Sequence, residues 1–216
     1  YLPGKTIVNI DLITVAFVTG VLAASVRLAT PILLTAVGEV FTERAGILNL
    51  GLEGTMLMGA LGGFLGAYWT GNLWIGVLAA MVTGVIFGLL MGFISITVKA
   101  NQVVAGLGIT ILGSGLSTLM FRLAFGLRST PPTLDIFPTV PIPLLSDLPG
   151  LGPVLFEHNA LVYLALILVP IAALLLYRTH FGLAIRAVGE SPDAADTRGV
   201  NVSLTRYLSV IIGGAL

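Results

Sequence analysis

Long apolar runs separated by short polar breaks set the pattern of this chain. A helix that crosses a bilayer needs roughly 20 mainly apolar residues, and five stretches meet or approach that length. The first, Leu12 to Phe41, is too long for one simple span and contains Arg27 and Pro31. Proline lacks a backbone N–H and kinks or breaks a helix, so this stretch is expected to be broken into two parts. Clearer spans follow at Ile47 to Trp69, Leu73 to Val98 and Gln102 to Phe125, and a fifth at Ala160 to Tyr177. A last apolar run, Tyr207 to Leu216, reaches about 15 Å, half of a ~30 Å hydrocarbon core. It is expected to be the start of a further helix. Because that run stops after ten residues, a C-terminally truncated fragment is expected; at the other end the chain opens at Tyr1 without a Met, and Leu2 to Ile10 lacks the basic region of a signal peptide. The fold class is all-α: a polytopic transmembrane helix bundle of about five spans plus the start of a further one, forming a single domain over residues 1–216.

The polar breaks differ in kind. Gly71-Asn72 and Lys99-Ala100-Asn101 are tight turns between antiparallel helices. The loop over 126–159 holds seven of the eleven prolines: Pro131, Pro132, Pro138, Pro141, Pro143, Pro149 and Pro153. That density excludes a continuous helix and leaves an extended flap outside the membrane. A second long polar loop covers 178–206. Lys and Arg favour cytoplasmic loops. With 178–206 inside, alternation puts Arg44, Lys99, Arg178, Arg186, Arg198 and Arg206 in the cytoplasm, and Lys5, Arg122 and Arg128 outside. The Pro-rich loop is then extracytoplasmic.

Composition narrows the function classes. Apolar residues make up 56% and charged residues 9% of the 216 positions, against about a quarter charged in soluble domains. Mean hydropathy is +1.06. Ten basic residues offset ten acidic ones, so no net field points to nucleic acid. With no Cys and only His158 and His180, disulfide frameworks, thiol nucleophiles and Cys/His zinc sites are excluded. Gly84, Gly88 and Gly92 share one helix face, as do Gly51, Thr55, Gly59 and Gly63; small residues at this spacing let helices approach closely in lipid.

The segment after Arg186 carries explicit helix punctuation. Ser191 is a good N-cap, and Pro192 sits at N1, where its missing N–H is harmless. Asp193 complements the positive end of the helix dipole, and Gly199 suits the position just past the end. These signals predict a helix of about two turns, Pro192 to Arg198. So short a helix is unstable alone in water, and two readings are open. Either it rests on the bundle or on headgroups, or it docks into a partner and passes motion to the spans. A bulky residue at Ala195 is expected to obstruct docking without touching the spans.

Phe181-Gly-Leu-Ala-Ile-Arg-Ala-Val-Gly-Glu-Ser-Pro-Asp-Ala-Ala-Asp-Thr-Arg-Gly-Val-Asn-Val202 resembles the coupling loop of bacterial ABC importer permeases. The branch is that of ribose, branched-chain amino acid and nucleoside permeases. Glu43-Arg-Ala-Gly-Ile-Leu-Asn-Leu-Gly-Leu-Glu-Gly54 looks like the segment opening a core helix in the nucleoside and simple-sugar members. Ile142-Pro-Leu-Leu-Ser-Asp-Leu-Pro-Gly-Leu-Gly152 is a weaker match. The resemblance runs from Arg27 to Leu216. It implies a multi-pass permease of the bacterial inner membrane, importing nucleosides or simple sugars. Its implied partners are cytoplasmic ATPase subunits, a second and non-identical permease subunit, an extracytoplasmic substrate-binding lipoprotein, and membrane lipid. The coupling residues it implies are Arg186, Gly189, Glu190, Ser191, Pro192, Asp193, Ala194, Ala195, Asp196 and Gly199. No G-x-x-x-x-G-K-[ST] phosphate loop occurs in the chain, so no cofactor is expected on it. ATP and Mg belong to the ATPase, and the chain is not itself an enzyme.

Ionisable groups inside spans are functional candidates by default. Glu53, with Asn49 one turn earlier on the same face, and Asn101 with Gln102 are candidates for the substrate pathway. The competing reading gives all four to helix starts, as caps and dipole partners. Arg27 is left to pair with Glu39 or Glu43. Two other classes share the composition. An ion-coupled secondary transporter or channel has no need of the capped cytoplasmic helix. An intramembrane hydrolase built on Gly113-Ser-Gly-Leu-Ser117 lacks a histidine in a clear span to act as base.

Overall fold

A computed structural model describes residues 10–126, 132–143, 146 and 152–216, with the side chains of residues 10–16 and 153 left aside. Lys5, Arg128, Pro131, Pro149 and most of the Ile142 to Gly152 segment lie outside the described residues. The order of helices is α1 (Ile10–Arg44), α2 (Leu52–Thr70), α3 (Leu73–Gly92), α4 (Gln102–Phe125), α5 (Ala160–Arg178), α6 (His180–Glu190), α7 (Pro192–Thr197) and α8 (Val202–Ala215). A π-helical turn, Phe93–Thr97, continues α3. Two three-residue strands, β1 (Thr139–Pro141) and β2 (Glu157–Asn159), pair antiparallel. The chain divides into two compact units: Tyr1–Leu33 with Phe137–Ile167, and Leu34–Ile136 with Leu168–Leu216.

Among the described residues, four segments are long and apolar enough to cross a membrane: Phe17–Arg44, Leu73–Thr97, Gln102–Phe125 and Ala160–Arg178. The chain is therefore a polytopic helical membrane protein. The glycine-rich α2 is a further 19-residue helix, packed against α3 and α4. The expected break in the first stretch is absent, since α1 runs unbroken for 35 residues with Pro31 inside it. Proline removes one N–H, whereas opening the helix would leave several backbone groups unsatisfied in hydrocarbon. The same reason carries α5 through Pro170.

In the larger unit, helices meet where side chains are missing. A Cβ on Gly84 of α3 would strike the carbonyl of Gly214 on α8, and one on Gly113 of α4 would strike that of Gly54 on α2. The spacing of small residues thus serves backbone approach, which stabilises contact where lipid supplies no hydrophobic drive. Met58, Leu61, Phe87, Met91, Ala105 and Ile109 fill the space among α2, α3 and α4. Phe41, Ala45, Ala172, Leu176 and Ile185 form a second cluster joining α1, α5 and α6. Outward-facing Leu78, Ile111 and Leu123 are exposed, as a lipid-facing surface requires.

In the smaller unit, the Pro-rich segment contains a short hairpin rather than wholly irregular chain. Val140 faces His158 across it. The hydroxyl of Tyr163 accepts from the His158 amide and donates to the Val140 carbonyl, both at 3.1 Å. The buried His158 ring places Nε2 2.8 Å from the Val154 carbonyl oxygen. The second polar loop is also not a loop: α6, α7 and the start of α8 occupy it.

Candidate functional site

The site begins where α5 ends. Thr179 adopts an extended conformation, and its Oγ1 accepts from the Gly182 amide at 3.1 Å, capping α6. Gly182, Ile185 and Val188 recur at helical spacing and are buried, while Leu183 and Glu190 face out. Position 182 has no room for a side chain, because a Cβ there would strike the carbonyls of Leu175 and Leu176. Amphipathic α6 is thereby laid against the end of α5.

Ser191 then turns the chain, at φ −151° and ψ 95°, with Pro192 starting α7. The Ser191 hydroxyl makes no capping hydrogen bond, so the expected side-chain cap at this end is not formed. The far end follows the sequence expectation. Gly199 lies at φ +84°, the Val200 amide donates to the Ala195 carbonyl at 3.1 Å, and the Gly199 amide donates to Asp196 at 2.9 Å. That pair of bonds is a Schellman closure. Asn201 starts α8 at once, its Oδ1 accepting from Leu204 N at 2.9 Å.

Six residues cannot hold a helix by themselves, and α7 is held by packing against α6 and α8. Ala195 is 5% exposed, so it is the inward anchor of α7. The expectation that bulk at Ala195 would block a partner while sparing the bundle is corrected: it would pry α7 off its own neighbours. Glu190, Ser191, Asp193, Ala194 and Asp196 face outward, with Pro192 and Gly189 half-buried.

The two strongest sequence motifs meet here. Gly46 closes α1 at φ +79°, with the Ile47 amide donating to Thr42 at 3.0 Å and its own amide to Glu43 at 2.9 Å. The α1–α2 turn so formed packs on α6 and α8. A Cβ on Gly189 would strike the Arg44 carbonyl, and Arg206 Nε donates to the Ala45 carbonyl at 3.2 Å. At the same end, Thr97 and Tyr207 share a hydroxyl–hydroxyl bond of 2.6 Å. Arg44 and Tyr177 are in hydrogen-bond reach, and Arg186 lies 5.3 Å over the Tyr177 ring.

None of the four pathway candidates lines the recess between α2 and α4. The chain from Gly46 to Gly51 is not helical, so Asn49 is not one turn before Glu53 on a shared face. The left-handed Gly46 ends α1, and Asn49 Oδ1 instead accepts from the Gly51 amide at 3.0 Å, a local side-chain turn. Glu53 is exposed in the first turn of α2. Asn101 Oδ1 caps α4, accepting from Val103 N at 2.9 Å. Gln102 Oε1 accepts from Leu48 N at 2.8 Å, and its Nε2 reaches the Gly46 carbonyl. An apolar recess of about 390 Å³ between α2 and α4 is lined by other residues, among them Phe64, Ser117, Thr118, Phe121 and Arg122. Ser114 and Ser117 donate to the carbonyls of Ile111 and Ser114, as packed helix hydroxyls do.

Sequence reasoning missed three anchors. Glu39 was seen only as a partner for Arg27, yet its carboxylate accepts from Thr42 Oγ1 at 2.6 Å and from the Asn49 amide at 3.0 Å. Arg206 and Tyr177 were read as orientation markers and a span end. Only a basic or aromatic residue at the edge of an apolar run signalled them.

The chain matches the family described as "Branched-chain amino acid transport system / permease component" over residues 21–216. It is 44% identical over 203 residues to a putative glucose ABC transporter permease of Haloferax volcanii, covering 92% of this chain and 60% of that protein. It is 39% identical over 204 residues to the guanosine ABC transporter permease NupQ of Bacillus subtilis, covering 90% and 63%. A nucleoside ABC transporter permease, NupC of Lactococcus lactis, is 31% identical over 197 residues, covering 87% and 61%. The chain thus spans about three-fifths of the length of these relatives. No solved structure matches it.

Proposed function

This chain belongs to the branched-chain amino acid transport system permease family, and we propose that it is the membrane-spanning subunit of an ATP-driven importer for a nucleoside or simple sugar. The observation that carries the reading is the outward face of α7, fastened from behind. Asp193, Ala194 and Asp196 are exposed, Ala195 is turned inward, and the segment is tied to the α1–α2 turn through Gly189 and Arg206. A separate ATPase subunit, carrying ATP and Mg, grips that face. Because α6 to α8 are packed and hydrogen-bonded to the end of α1, a push on α7 moves the spans rather than bending a loose loop.

The charge distribution supports the matching orientation. The ends of α1 and α5, the turn before α4 and the α6–α8 segment carry Arg44, Arg178, Lys99, Arg186, Arg198 and Arg206, which is the positive-inside bias. On this orientation the hairpin-bearing segment faces outward, where a substrate-binding lipoprotein delivers its cargo. A second, non-identical permease subunit completes the pathway. The cargo class rests on the names of the relatives, which are glucose, guanosine and nucleoside permeases.

The test is uptake of labelled guanosine and glucose by cells carrying the full-length protein with its neighbouring subunits. Uptake abolished by ATP depletion at an intact ion gradient supports the reading. Uptake that follows the gradient and ignores ATP places the protein among ion-coupled transporters instead.

A further inference from the structure

Tyr177 sits in the last turn of α5, half-exposed, between two arginines from other helices. Arg44 Nη2, from the last turn of α1, donates to its hydroxyl at 3.4 Å. The Arg186 guanidinium, from α6, lies over its ring at 5.3 Å from the centroid. Arg178 follows directly in sequence and is exposed. Neither Arg44 nor Arg186 has an ion-pair partner among the described residues; Glu43 and Glu190, the acidic residues nearest in sequence, are exposed and do not pair with them. Two cations held on one tyrosine, one at its hydroxyl and one over its ring, without a carboxylate, repel each other, and an anion bound between them relieves that repulsion.

The surroundings say which anion. Leu174, three residues before Tyr177 on α5, and Ile171, three before that, are exposed at 58% and 43%, and Leu183 of α6 at 56%. Residues three apart share a helix face, so an apolar stripe leads from the arginines along the span. Tyrosine is typical of the level where hydrocarbon meets headgroups. Arginine's planar fork matches two phosphate oxygens at once, and the Tyr177 hydroxyl, which accepts from Arg44, keeps its own proton to donate. We propose that Arg44, Arg186 and Tyr177 bind the phosphodiester of an anionic lipid headgroup, with the acyl chains lying along Leu174 and Ile171. The zero net charge of the chain does not oppose this, because the attraction is local. A carboxylate from a partner protein fits less well, since the cluster borders lipid-facing leucines rather than the outward face of α7. The inference does not depend on the cargo.

The experiment is native mass spectrometry of the full-length protein in detergent, titrated with phosphatidylglycerol and, separately, phosphatidylcholine. Wild type is expected to retain phosphatidylglycerol in preference. Arg44→Gln and Arg186→Gln should each weaken that retention about five-fold, the effect of one basic residue at a membrane surface, while leaving phosphatidylcholine retention unchanged. Tyr177→Phe keeps the ring and guards against a folding artefact; it should weaken phosphatidylglycerol binding less than either arginine change, and Arg186→Lys should recover part of it. Equal retention of the two lipids by wild type overturns the proposal. So does undiminished phosphatidylglycerol binding in both glutamine variants, or displacement of the lipid by inorganic phosphate at equal concentration.

Discussion

Arg206 Nε donates to the carbonyl oxygen of Ala45 at 3.2 Å, joining residues 161 positions apart. Ala45 lies beyond the last turn of α1, where carbonyls lack intrahelical partners, and Arg206 stands in the first turns of α8. One side chain thus fastens the end of the first long span to the helix that follows α7. With the Gly189 contact, this bond joins both helices that flank α7 to the end of α1.

Arg206→Ala should therefore separate ATP hydrolysis from transport. A hydrogen bond from a charged donor contributes roughly 1.5–3 kcal/mol, which corresponds to about ten-fold or more in an equilibrium. Uptake per ATP hydrolysed should fall by about that factor while the ATPase still co-purifies. Arg206→Lys should recover part of it. Measurement of ATPase activity and uptake in the same proteoliposomes checks this; uptake and hydrolysis falling together would mean that Arg206 only holds the fold.

Gly189→Ala and Gly199→Ala add the same methyl group and meet different obstacles. At 189 the new methyl strikes the Arg44 carbonyl, whereas at 199 the space is open and only the left-handed φ of +84° objects. Overpacking costs about 1–3 kcal/mol, and forcing an L-residue left-handed costs roughly 1–2 kcal/mol. Gly189→Ala should lower the thermal midpoint in detergent and impair transport, because it parts α6 from α1. Gly199→Ala should lower the midpoint by no more than that and relax only the end of α7.

Glu39→Ala leaves the Asn49 amide without its acceptor, whereas the Thr42 hydroxyl keeps the backbone carbonyl of residue 39 at 2.9 Å. An unsatisfied buried donor costs about 1–3 kcal/mol, so the turn over 46–51 should loosen. Hydrogen exchange of the Asn49 and Gly51 amides should speed up at least ten-fold, with the middles of α3 and α4 unchanged.

Single cysteines test the orientation, and none of these 216 residues is itself a cysteine. Asp196→Cys should react with a membrane-impermeant maleimide only after the cytoplasmic side is opened, and Asp135→Cys in intact cells. The reverse pattern would invert the bundle.

The parts of this protein that were legible in the sequence are those set by local chemistry. Pro192 and Gly199 mark the ends of α7 because each restricts the backbone where it stands, and the apolar runs mark spans because lipid leaves no other use for them. Ser191 misled on its hydrogen bond, since its hydroxyl makes no bond to the first turn behind proline. Pro31 misled because the cost of one missing N–H is smaller in lipid than the cost of an open helix. The amphipathic α6 was hidden because Arg186, Glu190 and Gly182 read as polar loop until Ile185 packs with Phe41 and Ala45 of α1 and Ala172 and Leu176 of α5. The seating of Asn49, Gln102 and Glu39 on one turn depends on contacts up to 56 residues apart, which no local signal carries.

The most direct measurement is co-purification of the full-length protein with its candidate ATPase subunit in detergent, comparing wild type, Ala194→Trp and Ala195→Trp. Ala194 faces outward and Ala195 inward on the same short helix. The account predicts that wild type retains the ATPase, that Ala194→Trp loses it with an unchanged thermal midpoint, and that Ala195→Trp loses it with a lowered midpoint. A folded wild type that binds no ATPase, or an Ala194→Trp that binds it as well as wild type, would contradict the role given to α7.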